Sequence, residues 1–433
     1  MKHSISIPSR TVACVASFCL LAGAAAAQTG HVLNGIGPVN QSMAGASTAA
    51  PVDAAGALMW NPASISALGR SEFEFGFELL VPTARVRSSV TMPGPMSGST
   101  SSDAGASPIP SFSFVYDIPD SPWTVGMGAV GIGGFGVDYP ASTSNPIFLA
   151  PPNGFGSVYS QFQMLQMSPT ISYQVNDRWS VGFAPTIDWA QLAVDPACFS
   201  PPDDANGDMN PTYPSAAHAD SAWGFGAQLG VLYRGPSGWN LGASYKSTQS
   251  FETFKFNSSD EVGNPRSLSL DLDFPAIASF GVGYTGFEDW VLDLDLRYID
   301  YGNTDGFQES GFEPDASVAG FGWDSILVAA FGAQYRLDDH WTLRGGYAWN
   351  ENPISDAQST FNLPAPAVVQ QHLALGFSYC IDEHWCFDFG YRHGFQNSIE
   401  GPIAHPTFGT VPGSSVENSL STDSVMFGLR VAF

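Results

Sequence analysis

The chain has 433 residues, of which 44% are hydrophobic and 13% aromatic but only 13% charged, with 40 Asp+Glu against 15 Lys+Arg and a net charge of -25. That excess of carboxylates argues against nucleic acid and other anionic partners. Beyond the first 27 residues no run reaches the ~18 apolar residues that a spanning helix needs, so a helical membrane protein is excluded.

Residues 1–27 read as an export signal. Lys2 and Arg10 make a basic start, residues 11–23 are mostly apolar, and Ala25-Ala26-Ala27 offers a small-residue cleavage site, so the mature chain is expected to begin at Gln28. Residues 28–68 do not alternate between apolar and polar. They hold Gly35-Ile36-Gly37, Ala-rich runs to Ala50, Val52-Asp53-Ala54-Ala55-Gly56 and finally Asn61-Pro62-Ala63, where Pro62 fixes φ, removes a donor and marks a turn. Such a segment is either a disordered periplasmic tail or a plug folded into a barrel.

From residue 73 the pattern is that of strands, with no linker or shift in composition to divide it, so residues 69–433 read as one domain. The last run is the clearest: Val425, Phe427, Leu429, Val431 and Phe433 alternate with Ser424, Met426, Gly428, Arg430 and Ala432. Trp290, Leu292, Leu294, Leu296 and Tyr298 alternate in the same way with Val291, Asp293, Asp295 and Arg297. Six times an aromatic residue closes one run and a tryptophan opens the next across a short polar turn: Tyr116/Trp123, Tyr173/Trp179, Tyr233/Trp239, Tyr284/Trp290, Tyr335/Trp341 and Tyr379/Trp385. Rings held at one level on many hairpins are what a membrane-water interface selects.

Six turns join twelve strands, and one more strand at each end makes fourteen. An even number lets the first strand pair with the last and leaves no edge in lipid, with an ion pair from Arg430 to Glu74 or Glu78 expected across the seam. Connections at the other end are long, at about residues 88–107, 138–154, 195–219, 256–266, 304–322, 353–367 and 399–420. The expected fold is therefore all-β, a 14-stranded antiparallel transmembrane β-barrel in the bacterial outer membrane, in contact with its lipid and lipopolysaccharide. A β-propeller also repeats a tryptophan, but the spacings here (56, 60, 51, 51 and 44) are irregular and each unit holds two long strands.

Other features point to structure more than chemistry. Gly126 to Gly136 is so rich in glycine that it reads as a weakened strand or a bulge. Cys198, Cys380 and Cys386 follow the signal, and three unpaired thiols are expected, because diagonal neighbours at the last turn sit too far apart for an easy disulfide. Asp204-Ala205-Asn206-Gly207-Asp208 has calcium-loop spacing without the remaining ligands and reads as an acidic solvated loop. No Ser/His/Asp constellation or metal-spaced cluster appears, so no catalytic residue, metal or cofactor is expected.

The small-residue segment ending in Asn61-Pro62-Ala63, Trp223-Gly224-Phe225-Gly226, Trp341 to Tyr347 followed by Asn352-Pro353, and the strands closing on Phe433 together resemble the FadL-type outer-membrane transporters of long-chain fatty acids and aromatic hydrocarbons. The resemblance covers nearly the whole mature chain. It implies that residues 28–68 form a hatch plugging the barrel, with Asn61-Pro62-Ala63 as its motif; a monomer is expected. It implies further that Gly131, Gly133, Gly134 and Gly136 mark a kink in the third strand that opens a lateral window to lipid, and that cargo moves passively as the hatch shifts. Phe433 is the expected handle for the barrel-assembly machinery. Candidate loop contacts for an apolar cargo are Phe148, Leu149, Phe155, Trp189, Leu192 and Phe199, chosen as apolar residues near the outer rim. Only Arg85, Arg87, Lys246, Lys255 and Arg266 could meet a carboxylate in the outer half, which leaves a neutral hydrocarbon as open as a fatty acid. A lipid-acting barrel enzyme and a structural or adhesive barrel are the alternatives.

Overall fold

The computed structural model describes residues 29–91 and 94–433, so the expected export signal with Cys14 and Cys19 lies outside the described residues. Fourteen strands form the wall: β1 (Glu72–Val90), β2 (Ser107–Asp117), β3 (Trp123–Tyr139), β4 (Val158–Gln174), β5 (Trp179–Asp195), β6 (Ala216–Arg234), β7 (Trp239–Lys246), β8 (Ile277–Tyr284), β9 (Trp290–Ile299), β10 (Ile326–Arg336), β11 (Trp341–Asn350), β12 (Gln371–Cys380), β13 (Trp385–Gly401) and β14 (Ser415–Ala432). Each pairs antiparallel with the next in the chain, and β1 closes the ring by pairing with β14 from Glu72↔Ala432 to Ser89↔Ser415. Every ladder group at membrane depth needs a partner, and closure supplies it for the two terminal strands.

Side-chain parity decides which face is wet. On β9, Leu294, Leu296 and Tyr298 are exposed on the outside while Asp293, Asp295 and Arg297 are buried in the lumen. On β1, Phe73, Phe77 and Leu79 point out, and Glu72, Glu74 and Glu78 point in. The outside is therefore an apolar sheath and the lumen is polar, the reverse of a soluble barrel.

The aromatic girdle is assembled differently from the sequence pairs. Five of the six tryptophans lie opposite the tyrosine of the following turn: Trp123–Tyr173, Trp179–Tyr233, Trp239–Tyr284, Trp290–Tyr335 and Trp341–Tyr379, with ring centroids 4.5–4.9 Å apart; the sixth, Trp385, faces Val431 of β14. The rings thus tie one hairpin to the next around the circumference, each contact contributing about 0.5–1.5 kcal/mol beyond its area.

Two expectations are corrected. Cys380 and Cys386 are directly opposed rather than diagonal, with Cα atoms 3.9 Å apart, and they form a disulfide, leaving Cys198 free among the described residues. At the seam, Arg430 reaches Glu72 at 3.7 Å rather than Glu74 or Glu78, while also binding Asp388 at 3.0 Å, and Glu78 pairs with Arg392 at 3.1 Å. Arg430 stands opposite Glu74 in register, but its long side chain crosses to carboxylates on either side.

Candidate functional site

Residues 29–68 lie within the lumen as turns and two short helices, α1 (Gly37–Ser42) and α2 (Ala54–Trp60), followed by a 3-10 turn, Pro62–Ala67. Neither helix is long enough to satisfy its own ends, and the barrel wall supplies the partners. Asp295 accepts from Ser47 N–H at 3.0 Å and Thr48 N–H at 3.2 Å, and Asp293 accepts from Ala50 N–H at 3.1 Å. Glu72 and Glu74 accept from Ala54 and Ala55 N–H at 3.0 and 3.2 Å, at the start of α2. Arg297 donates to Gly45 O and Asp295, each at 2.6 Å. The lumenal carboxylates thus hold main-chain N–H groups as well as basic side chains, which is why alternation with Asp and Glu survives in strands that meet no bulk water.

Asn61 is the staple. Its amide donates to Thr48 O at 2.8 Å within the segment and to Val231 O at 3.1 Å on β6, while its carbonyl accepts from Ala63 N–H at 3.1 Å. Pro62 opens the 3-10 turn where no N–H is required. The segment can lie this close because the wall presents glycine. A Cβ on Gly230 would meet Asn61 Oδ1, and one on Gly182 would meet the Pro62 backbone. Replacing Asn61 with Ala takes the side-chain partner from the buried Thr48 carbonyl and the Ala63 N–H and removes the tie to Val231 O on the wall. We expect a loss of about 2 kcal/mol, or roughly thirtyfold more opening of the segment, read as hydrogen exchange over residues 46–63 with barrel exchange unchanged.

The third strand is irregular where the sequence is rich in glycine. Its pairing with β2 ends at Ser111↔Val130, and a bulge falls between Gly131 and Gly133. Contact with the preceding chain resumes only where Asp103 N–H donates to Asp138 O at 2.8 Å and Asp138 N–H to Ser102 Oγ at 2.9 Å. Between these limits, residues 104–110 and 131–137 share no ladder pairing among the described residues. The β3 edge is met from inside instead: Leu33 N–H donates to Ile132 O at 3.0 Å and Gly134 N–H to His31 O at 2.9 Å. A Cβ at Gly133 would lie 2.6 Å from His31 O, so glycine is what admits the segment. A small crevice between Leu33, Ile36, Gln41, Ile109 and Gly131 lies behind this edge.

Above it, toward the long loops, opens a cavity of about 840 Å³ with the solvent space at its mouth included. Of the candidate contacts, Phe155, Leu192 and Phe199 line it. Phe148 is fully buried against Tyr139, 5.1 Å between centroids, and neither it nor Leu149 lines the cavity. Trp189 stands opposite Trp223 on the outer, lipid-facing side. The remaining walls come from Phe135 on β3 and from Phe312, Phe321 and Phe361 in the loops at residues 304–322 and 353–367. The signal for these was present, since aromatic residues stand out in loops otherwise made of Gly, Pro, Ser and Asp.

No Lys, Arg or His lines this cavity. Arg85 and Arg87 face outward on β1, with Arg87 paired to Glu417 at 3.2 Å. Arg266 is held by Asp203 at 2.9 Å, Lys255 is exposed, and Lys246 is buried between Gln166 and Met59. The Asp204–Asp208 loop binds itself, Asp204 accepting from Met209 N–H at 3.1 Å and Asp208 N–H donating to Asn206 at 2.8 Å.

A wall gap, a lumen filled by the N-terminal segment and an apolar outer cavity coexist in one fourteen-stranded barrel, and the sequence pattern of the outer membrane protein transport proteins (OMPP1/FadL/TodX) matches residues 12–433. The chain belongs to this family. Among its relatives, the long-chain fatty acid transport protein of Escherichia coli K12 is 24% identical over 396 residues, covering 81% of this chain and 84% of that one. The protein of the same name from Salmonella typhi is 25% identical over 391 residues, with 81% and 84% covered. The fold is shared with the Pseudomonas putida toluene transporter TodX, at a TM-score of 0.69, 18% identity and coverage of 93% and 99%. A Pseudomonas aeruginosa FadL homologue gives a TM-score of 0.70 at 15% identity, again with 93% and 99% covered. As a member of the OMPP1/FadL/TodX family, the protein is an outer-membrane β-barrel of the transport class.

Proposed function

We propose that this protein takes up neutral apolar compounds, hydrocarbons ahead of fatty acids, by passive movement from the outer cavity to the β3 gap and sideways into the bilayer. The observation that carries the reading is the cavity itself: its walls are apolar and aromatic and hold no cation. A water-filled pore is of little use to such a solute, whose preference is to leave water, whereas an apolar cavity beside a break in the wall gives it a dry path. The family relatives named for long-chain fatty acids and for toluene bracket the cargo, and the missing cation favours the second.

In this reading residues 28–68 are the hatch, and Gly131, Gly133, Gly134 and Gly136 form one side of the lateral opening. The hatch must shift, because residues 31–33 occupy the inner side of the gap. Support comes from the bounded break in pairing between β2 and β3 and from the small residues Ala104, Gly105 and Ala106 on its opposite side.

The test is uptake of labelled toluene and oleate by cells with and without the protein. Faster toluene entry that requires the protein is expected, with a smaller effect on oleate. No difference for any apolar compound would leave a barrel enzyme or an adhesive barrel as the reading.

A further inference from the structure

His31 is fully buried, and its imidazole sits among five rings. It is nearly parallel to Phe307, with centroids 4.8 Å apart and 7° between planes, and edge-on to Phe274 at 5.3 Å. It is tilted against Tyr301 at 5.5 Å, Phe162 at 5.9 Å and Trp323 at 6.1 Å. Neither ring nitrogen has a hydrogen-bond partner among the described residues. The adjacent main chain is satisfied, however, because the Tyr301 hydroxyl accepts from His31 N–H at 3.0 Å and donates to Thr29 O at 2.8 Å. A phenyl ring would fill this cage without stranding polar atoms; what imidazole adds is a charge that changes near neutral pH.

We infer that His31 is a proton-operated latch, docked in the aromatic cage as a neutral ring and released with residues 31–33 from the β3 edge when the ring gains a proton. The inference rests on the reading of that edge as the exit, since the His31 carbonyl accepts from Gly134 N–H at 2.9 Å and Leu33 N–H donates to Ile132 O at 3.0 Å. Losing the ring from the cage removes what holds these two bonds in place.

The electrostatics of the cage fix the direction. Of the five rings only Tyr301 titrates, and burial keeps its hydroxyl protonated by pushing its pKa well above the ordinary value. The carboxylates on the same segments face elsewhere: Asp273 accepts from Phe251 N–H at 2.8 Å, Asp300 from Ser325 at 2.9 Å and Asn303 at 2.7 Å, and Asp305 and Asp324 are exposed. Burial with no opposing charge pushes the His31 imidazole down to about 3. The ring faces attract a cation and offset part of this, but they give its two N–H groups no strong acceptor. The docked state therefore binds fewer protons than the released one. Docking is at full strength above the free value of about 6.5 and weakens as pH falls through it toward the docked value. Between pH 7.5 and 5.0 the ratio of released to docked segment rises about thirtyfold.

Hydrogen exchange of the full chain in nanodiscs tests this, with protection of the Leu33 and Gly134 amides corrected for intrinsic exchange at each pH. We expect protection to fall about thirtyfold from pH 7.5 to 5.0, and to stay level in His31→Phe, which keeps a ring but cannot be protonated. Level protection in the native protein, or an equal fall in His31→Phe, overturns the latch. Should His31→Phe not fold, NMR of labelled histidine in the native protein decides: a ring that titrates below pH 5 supports the latch, and one that titrates near 6.5 overturns it. A latch that titrates as expected while a covalently closed gap still passes cargo would sink the exit reading and leave the latch standing.

Discussion

Joining the two sides of the wall gap through Ile109→Cys and Gly131→Cys is expected to stop uptake reversibly. A Cβ placed on Gly131 lies 2.8 Å from Ile109 Cγ2, so cysteines at the two positions bring their Cβ atoms into the span of a disulfide. Replacing Ile109 also removes the atom that crowds the new side chain. The native thiols do not compete. Cys198 is held protonated, its pKa pushed up to about 12 by burial, and Cys380 and Cys386 are already joined at the short-turn end. Under oxidation, toluene uptake should fall by at least about tenfold if opening gates the path, at unchanged abundance, and recover on reduction. The native protein taken through the same cycle controls for the Cys380–Cys386 bond. Equal uptake by the oxidised and reduced variant means that cargo leaves by another way.

The architecture could be read because a barrel repeats one physical requirement along the chain. Alternation in runs such as residues 424–433 and 290–298 states which side of each strand meets lipid, and the six Tyr/Trp turns set the count and the short-turn end. Partner choice was less accessible. Tyr116 and Trp123 flank one turn, yet Trp123 packs at a tilt against Tyr173, because neighbours at the same height on adjacent hairpins are closer than ends of one hairpin. The disulfide was missed for a related reason: a shift of two residues in register turns diagonal cysteines into opposed ones on the same face. At the site, the Asn61-Pro62-Ala63 motif and the glycines of β3 stood out locally, but their meaning depends on Val231 and His31, far away in sequence. The cavity was the least legible part. Its walls come from loops more than a hundred residues apart, so proximity to the rim picked Phe155, Leu192 and Phe199 together with Trp189, whose strand parity turns it outward to lipid.

The second large effect concerns charge on the cargo. A carboxylate drawn into the outer cavity leaves water for walls that hold no Lys, Arg or His. Leaving such a group without a partner costs about 3 kcal/mol, roughly 150-fold in affinity. Oleate should therefore bind far more weakly than its chain length predicts, while toluene has nothing to lose. Leu270 lines the cavity and is only partly buried, so the head of an arginine there can reach water while its stem covers the wall. Leu270→Arg should raise oleate affinity by roughly ten- to a hundredfold through a charge-assisted pair and leave toluene within about twofold, a surface-scale effect. Displacement of a bound fluorophore from purified protein at pH 7.5 measures both ligands. If native protein binds oleate as tightly as Leu270→Arg does, the carboxylate stays in water at the loop rim while the chain alone enters. The absence of a cation would then say nothing about the cargo, and fatty acids would regain equal standing.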